Sequence, residues 1–253
     1  MENQNKYLLL ARRAREEDNA EDAKKYYDIV RTEDPDNAEA KFFYSYYHMY
    51  SGTVGDAVHN YLSLCKGIDS TLKMIVASES TAEEKKALIK AILNCTMKAY
   101  DTAESAYYKV NTGSIVEIKG AYDKAVKATI GTYTDNFGED KELFEISINI
   151  KLSKLVTSMY DTPFYDIGDE IESKYSSDPE LMAKAIDVWK KGIDKGKALL
   201  FMPGDSGKAA RDERIAKYAA KIQKYDPTYV APVQSEGVLD KLLKKIKTLI
   251  GKK

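Results

Sequence analysis

Only two cysteines occur among the 253 residues, Cys65 and Cys95, and no Cys-x-x-Cys pair is present. That excludes a disulfide framework and a four-ligand zinc site, and reduced, buried thiols are expected. Histidine is equally scarce. His48 and His59 lack a His-Glu-x-x-His spacing or convergent partners, so they read as helix-face residues and not as metal ligands or proton carriers. No apolar run approaches the roughly 18 residues that a bilayer span requires. The opening stretch MENQNKYLLLARRAREED is acidic and amide-rich where a signal peptide would be basic, and its apolar run from Tyr7 to Ala11 is too short for a signal core. A cytoplasmic location is expected. A charge excess is missing too: 39 Lys and Arg oppose 40 Asp and Glu, which leaves no cationic field to draw the whole molecule onto nucleic acid.

Catalytic motifs are also lacking. PGDSGKAA has glycines like a phosphate loop, but Gly204 and Gly207 are too close together and Ala209 stands where a Ser or Thr would hold magnesium. Asp205 or Ser206 reads instead as a helix cap. Asp161, Asp166, Asp169 and Glu170 cluster around the break at Pro163. They do not alternate as calcium-loop ligands do, and acids beginning a helix complement its dipole. These residues point to no catalytic set, metal or cofactor, so a non-enzymatic role is expected.

What the chain does have is a hydrophobic fraction of 43% with 31% charged residues, the balance of a folded globular protein. It also repeats itself. Shifted by 34 residues, DNAEDAKKYYDIV lies over GTVGDAVHNYLSL, so that Asp22 falls on Asp56, Ala23 on Ala57, Tyr27 on Tyr61 and Val30 on Leu64. The alanines allow two helices to approach closely, and the tyrosines fill the space between one helix pair and the next. Pro35 stops the helix before it, and DPDNAEA supplies turn residues before the next start.

A helix, a turn and a second helix recurring at this period resemble the tetratricopeptide repeat. In the first unit Tyr7, Leu10, Ala11, Ala23, Tyr27 and Pro35 match or nearly match the family's pattern, with Ala14 in place of an aromatic. In the second, Tyr44, Ser45, His48, Gly52, Ala57 and Tyr61 approximate it, with Lys41 in place of the first aromatic and no closing proline. The two units cover about residues 4–70. A stable stack normally needs three or more, so the next helices are expected to cap the second unit. The resemblance implies a concave face lined by the first helix of each unit, here Leu8, Arg12, Arg15 and Glu16, then Phe42, Tyr46, Met49 and Tyr50. Arg12 and Arg15 beside Phe42, Tyr46, Met49 and Tyr50 suit a peptide ligand with a carboxylate and an apolar side chain. Leu8 and Arg12 stand where the family's chaperone-tail clamp has Lys and Asn, so that specific activity is not implied. KFFYSYYHMY also holds so many aromatics that some are expected in the inter-helix core.

Beyond the repeats, Ser80 and then Glu83 form a capping-box pattern ahead of a helix of nearly 30 residues, roughly 45 Å long. Its apolar stripe runs through Leu88, Ile92, Cys95, Ala99, Ala103, Ala106 and Val110, and NTGS ends it. A second stripe passes through Ile115, Ile118, Tyr122, Ala125, Thr129 and Tyr133, closed by DNFGED. LFEISINIKLSKLV alternates like a strand at Ile146, Ile148, Ile150 and Leu152. Phe144, Ile148, Leu155 and Met159 also fit a helix, and no second strand exists to pair with it, so helix is expected. DTPFYDIGDE reads as a break before a short helix to about Lys174. Asp178 and Pro179 then open a helix carrying Trp189, MPGDSG turns, and KAARDERIAKYAAKIQKYDP closes the body.

Residues 237–253 are electrically distinct, with six Lys and one Asp against a formal −6 for everything before them. Leu239, Leu242, Leu243, Ile246, Leu249 and Ile250 share one helical face, and Lys241, Lys244, Lys245 and Lys247 occupy the others. Such a helix lies in a membrane interface, docks into a partner's groove, or folds back onto the acidic body. The expected fold is all-α: tetratricopeptide-like helix pairs at 1–70, an irregular α-solenoid-like bundle continuing the stack at 71–226, a linker at 227–236, and a cationic amphipathic C-terminal helix at 237–253. The expected function is non-catalytic binding of a protein or peptide, without nucleic acid or cofactor. Recruitment to a membrane surface through the tail is the alternative, with Leu239, Leu242, Leu243, Ile246, Leu249, Lys244 and Lys245 in contact, and an enzyme without a recognisable motif comes third.

Overall fold

A computed structural model describes residues 2–156, 158–201 and 205–231. Among the described residues the chain is all-α, with ten helices and no strand. They are α1 (Glu2–Glu16), α2 (Ala20–Glu33), α3 (Ala38–Met49), α4 (Ala57–Ala77), α5 (Ala82–Val110), α6 (Ile115–Phe137), α7 (Lys141–Lys154), α8 (Thr162–Tyr175), α9 (Pro179–Ala198) and α10 (Ser206–Tyr225). No described helix is long and apolar enough to cross a membrane. The tail residues Leu239, Leu242, Leu243, Ile246, Leu249, Lys244 and Lys245, and positions 232–236 of the expected linker, lie outside the described residues.

The chain divides into two compact units, residues 1–146 and 147–253. This division falls within 71–226, the stretch expected to continue the stack. Helix α4 runs on to Ala77, and α5 and α6 pack directly against α3 and α4, so nothing separates the two repeats from these later helices.

In the first unit each helix packs on the next, from α1 on α2 to α5 on α6, and contacts of α3 with α5 and of α4 with α6 set the hairpins side by side. The second helix of each hairpin buries a tyrosine with an apolar residue four positions before it and another three after it, the small residue coming first on α2 and α4 and last on α6. Ala23, Tyr27 and Val30 on α2 and Ala57, Tyr61 and Leu64 on α4 are buried, as are Ile118, Tyr122 and Ala125 on α6. The third occurrence keeps the internal spacing but arrives 61 residues after the second. Helix α5 has 29 residues where α3 has 12, which is why a search at a fixed period of 34 passes over it. Aromatic rings bridge the hairpins: Tyr27 stacks on Phe43 at 5.3 Å, and Tyr100 lies between Tyr61 at 6.4 Å and Tyr122 at 4.4 Å. Each fully buried aromatic of this kind contributes roughly 2–3 kcal/mol.

Caps fix the helix starts. Asn19 opens α2 and Asn37 opens α3. Helix α5 has its capping box one residue later than expected: Thr81 Oγ1 accepts from Glu84 N–H at 3.3 Å, and Glu84 Oε2 accepts from Thr81 N–H at 2.9 Å. The motif fits both registers; the buried face is wider than the expected stripe, taking in Ile89, Leu93 and Thr96 beside Ile92, Ala99, Ala103 and Ala106, while Val110 stays exposed. Asn111 ends the helix in the left-handed region at φ 51, and Gly113 lies two residues on at φ 81. A Cβ on Gly113 would stand 2.7 Å from Val58 Cγ1, so the turn is closed to any other residue on two counts.

Helix α7 explains the strand-like alternation. Leu143, Phe144, Ile146, Ile148 and Ile150 are all buried, spreading apolar residues over about half of the helix circumference, with Glu142 and Asn149 exposed on the other side. The expected continuation to Met159 fails, because α7 ends at Lys154 and Met159 is exposed.

In the second unit α9 packs on both α8 and α10. Pro163 does not interrupt a helix but begins α8 as one of its first residues, where its missing N–H costs nothing. Trp189 is fully buried, and its indole lies where a Cβ on Gly168 would be, 2.2 Å from Nε1. Asp169 accepts from Trp189 Nε1 at 3.0 Å, from the Tyr218 hydroxyl at 2.8 Å and from Lys221 Nζ at 2.7 Å. Buried Asp161 receives both Nε and Nη2 of Arg214 at 3.0 Å, and Glu170 pairs with Lys151 at 2.6 Å. Three members of the acidic cluster are therefore tertiary anchors, and the helix dipole expected from the sequence does not account for them.

Candidate binding surface of the first unit

The arginines expected to hold a ligand already hold a carboxylate. Glu39, in the first turn of α3 behind the Asn37 cap, is only 8% exposed. Arg12 Nε donates to both of its oxygens at 3.0 Å and Nη2 to Oε2 at 2.6 Å. Arg15 Nη1 lies 3.5 Å from Oε1, and the Tyr27 hydroxyl donates to the same oxygen at 2.9 Å. Arg15 also places its guanidinium 4.4 Å from the centre of the Phe43 ring. The hydrogen bonds to Glu39 raise the Arg12 guanidinium above its ordinary value, and burial, then the charge of Glu39, raises the Tyr27 phenol. One carboxylate thus ties α1 and α2 to α3, and the arginines are spoken for.

The aromatic half of the expected groove is corrected as well. Phe42 and Met49 are 2% exposed and Tyr46 is 8% exposed. Helix α3 is enclosed by α2, α4 and α5, so it is apolar on most of its faces and these three side chains form core. Phe42 packs edge-on against Phe43 at 5.2 Å and stacks on Tyr46 at 6.2 Å. Of the six residues expected to line the groove, Tyr50 reaches solvent, together with parts of Arg12 and Arg15.

Tyr50 leads to a cavity of about 450 Å³ between the end of α3, the turn at 50–56 and the C-terminal half of α5. Met49, Tyr50 and Val54 supply its apolar wall, and Asp101, Ser105 and Lys109 lie along α5 at successive turns. The turn is fixed by Asp56, whose Oδ2 accepts from the N–H of Thr53 at 2.9 Å and from its hydroxyl at 2.8 Å, holding the Asp56 carboxyl below its ordinary range. Among the described residues neither Asp101 nor Lys109 makes a hydrogen bond or ion pair. Burial and the neighbouring Glu104 raise the Asp101 carboxyl. Sequence reasoning misses Asp101, Ser105 and Lys109 because it tracks the apolar stripe of α5. Their spacing of four is the available signal, since it places them on one face.

Cys65 and Cys95 are free and half-buried, and burial pushes both thiols up to about 11, which leaves them weak nucleophiles at neutral pH. His48 and His59 are exposed, and His48 stacks on Tyr44 at 5.7 Å. The described residues contain no cluster of His, Cys, Asp or Glu that could hold a metal ion. A second concavity of about 500 Å³ lies in the second unit among Leu152, Leu155, Val156 and Phe164, with Lys191, Asp194 and Lys195 at its edge. Lys191 is already paired with Asp187 at 2.7 Å.

Comparison of the chain with protein-family models, with curated proteins and with solved structures yields no match.

Proposed function

We propose that this chain is a non-catalytic protein-binding module of the tetratricopeptide type, and that its first unit holds a peptide segment of a partner at the cavity beside Tyr50. The observation that carries the reading is the third hairpin. With α6 packed on α4 and α5 and burying Ile118, Tyr122 and Ala125 at the spacing of the α2 and α4 sets, its small residue last instead of first, the unit has the three helix pairs that such a stack needs. A stack of this kind presents its first helices on one side, and the cavity opens between two of them, α3 and α5. Its volume falls within the range of ligand sites, about 300–1,000 Å³. The binding surface is therefore centred on Tyr50, Val54 and α5, displaced from the core residues Phe42 and Met49.

The test is affinity capture from native extract, comparing the intact protein with a Tyr50→Ala, Val54→Asp variant. Both positions are exposed, so the circular dichroism of the variant should be unchanged. A partner held by the intact chain and lost by the variant supports the reading, and an identical set of captured proteins removes it.

A second reading, recruitment to an anionic lipid surface, is favoured by Lys241, Lys244, Lys245 and Lys247 lying off the Leu and Ile face in residues 237–253. Cosedimentation with phosphatidylserine vesicles that is lost on deleting 237–253 would support it. Equal sedimentation of the two forms would remove it.

A further inference from the structure

Resting on the binding reading above, we infer that the cavity beside Tyr50 takes an extended peptide segment in which a basic, an apolar and an acidic side chain occupy alternate positions. Helix α5 supplies the charges. Asp101 and Lys109 are eight residues apart on one helical face, roughly 12 Å along the axis at 1.5 Å per residue. They bracket the cavity wall formed by Thr102, Ser105 and Ala106. Two unpaired charges of opposite sign at either end of an apolar hollow define a dipole.

An extended chain advances about 3.4 Å per residue and sends every second side chain to the same side. Its first, third and fifth side chains therefore share a face and span about 13–14 Å, which matches the separation of Asp101 and Lys109. A basic side chain at one end meets Asp101, an acidic one at the other meets Lys109, and the apolar one between them enters the hollow against Met49, Tyr50 and Val54. Burial and Glu104 raise the Asp101 carboxyl in the free protein, and the attraction of a bound cation for its charged form would oppose that rise. The other charged surfaces fit less well. Arg12 and Arg15 face Glu39, and the hollow of the second unit has one of its two lysines engaged by Asp187.

The inference is tested on the full-length ¹⁵N-labelled chain by nuclear magnetic resonance titration with three acetylated, amidated pentapeptides: Lys-Ser-Leu-Ser-Glu, Lys-Ser-Leu-Ser-Lys and Glu-Ser-Leu-Ser-Glu. The unmodified protein should bind the mixed peptide at least about fivefold more tightly than either like-charged one, the contrast expected when an exposed ion pair is replaced by a repulsion. Amide shifts should fall on residues 50–54 and 101–109. The Lys109→Glu variant should turn to the Lys-Lys peptide and the Asp101→Lys variant to the Glu-Glu peptide. Both substitutions are at exposed positions, and circular dichroism checks that the fold is kept. Equal affinities at these amides would overturn the charge pattern while leaving protein binding intact. Shifts elsewhere, or none with any peptide, would overturn the site. Loss of the captured partner on Tyr50→Ala, Val54→Asp separates that outcome from a failure of the binding reading itself.

Discussion

Glu39 shows how one buried carboxylate can redirect the role of its neighbours. Two guanidiniums and a phenol converge on it, and the arginines that looked like ligand anchors become struts between helices. Because both arginines reach solvent, their attraction to Glu39 is partly screened, and its removal costs less than breaking a fully buried pair. Glu39→Gln should destabilise the first unit by about 1–3 kcal/mol, read as a lower urea midpoint with an unchanged slope. A midpoint equal to that of the parent would mean the arginines find equivalent partners in solvent.

At the scale of the element, caps and clamps decide where helices begin. Thr81→Ala should cost about 1 kcal/mol, and Ser80→Ala should cost nothing measurable, because only Thr81 makes the reciprocal bonds of the box. Equal losses from the two substitutions would put the helix start elsewhere. The start of α7 is clamped differently. Asp140 accepts from Leu143 N–H at 2.8 Å, from Lys90 Nζ on α5 at 2.8 Å and from the Tyr133 hydroxyl on α6. Burial works against its charged form, but the Leu143 N–H, Lys90 and Tyr133 outweigh it and hold the carboxyl at about 2. A depressed folded-state value means that the clamp stabilises above the unfolded value, near 3.9, and is lost as the pH falls through about 2. Acid denaturation monitored by circular dichroism should therefore show a shallower loss of stability between about pH 4 and 2 in Asp140→Asn than in the parent. Parallel profiles would exclude the clamp as a contributor.

Across the molecule, the first unit behaves as a stack in which each hairpin covers the apolar face of the one before it. If α6 completes the series, Tyr122→Ala should cost about 3–5 kcal/mol and raise amide hydrogen exchange in α4 as well as in α5 and α6, since α4 packs on both. Faster exchange confined to α6 would make it an appendage instead of a third member. The second unit is built on other terms: glycines that admit Trp189 and Tyr165 against the helix backbone, and carboxylates shared among α8, α9 and α10.

The all-α class, the buried stripe of α6, the Asp178 and Asp205 caps and the Asn111 stop were legible in the sequence, because 3.6-residue periodicity and capping chemistry are local properties. So was the pairing of Ala23 with Tyr27 and of Ala57 with Tyr61, where two similar hairpins of equal length fall at one period. What depends on distant partners was not legible. A carboxylate 27 residues from Arg12 engages its guanidinium, α5 and α4 close over Phe42 and Met49, and Arg214 reaches back 53 residues to Asp161. The third hairpin was hidden by the greater length of α5 and, to a lesser degree, of α4. Sequence thus determined which segments are helices and which faces are apolar. Only the tertiary structure decided which apolar faces are covered and which charges are already paired, because both depend on residues brought together from far along the chain.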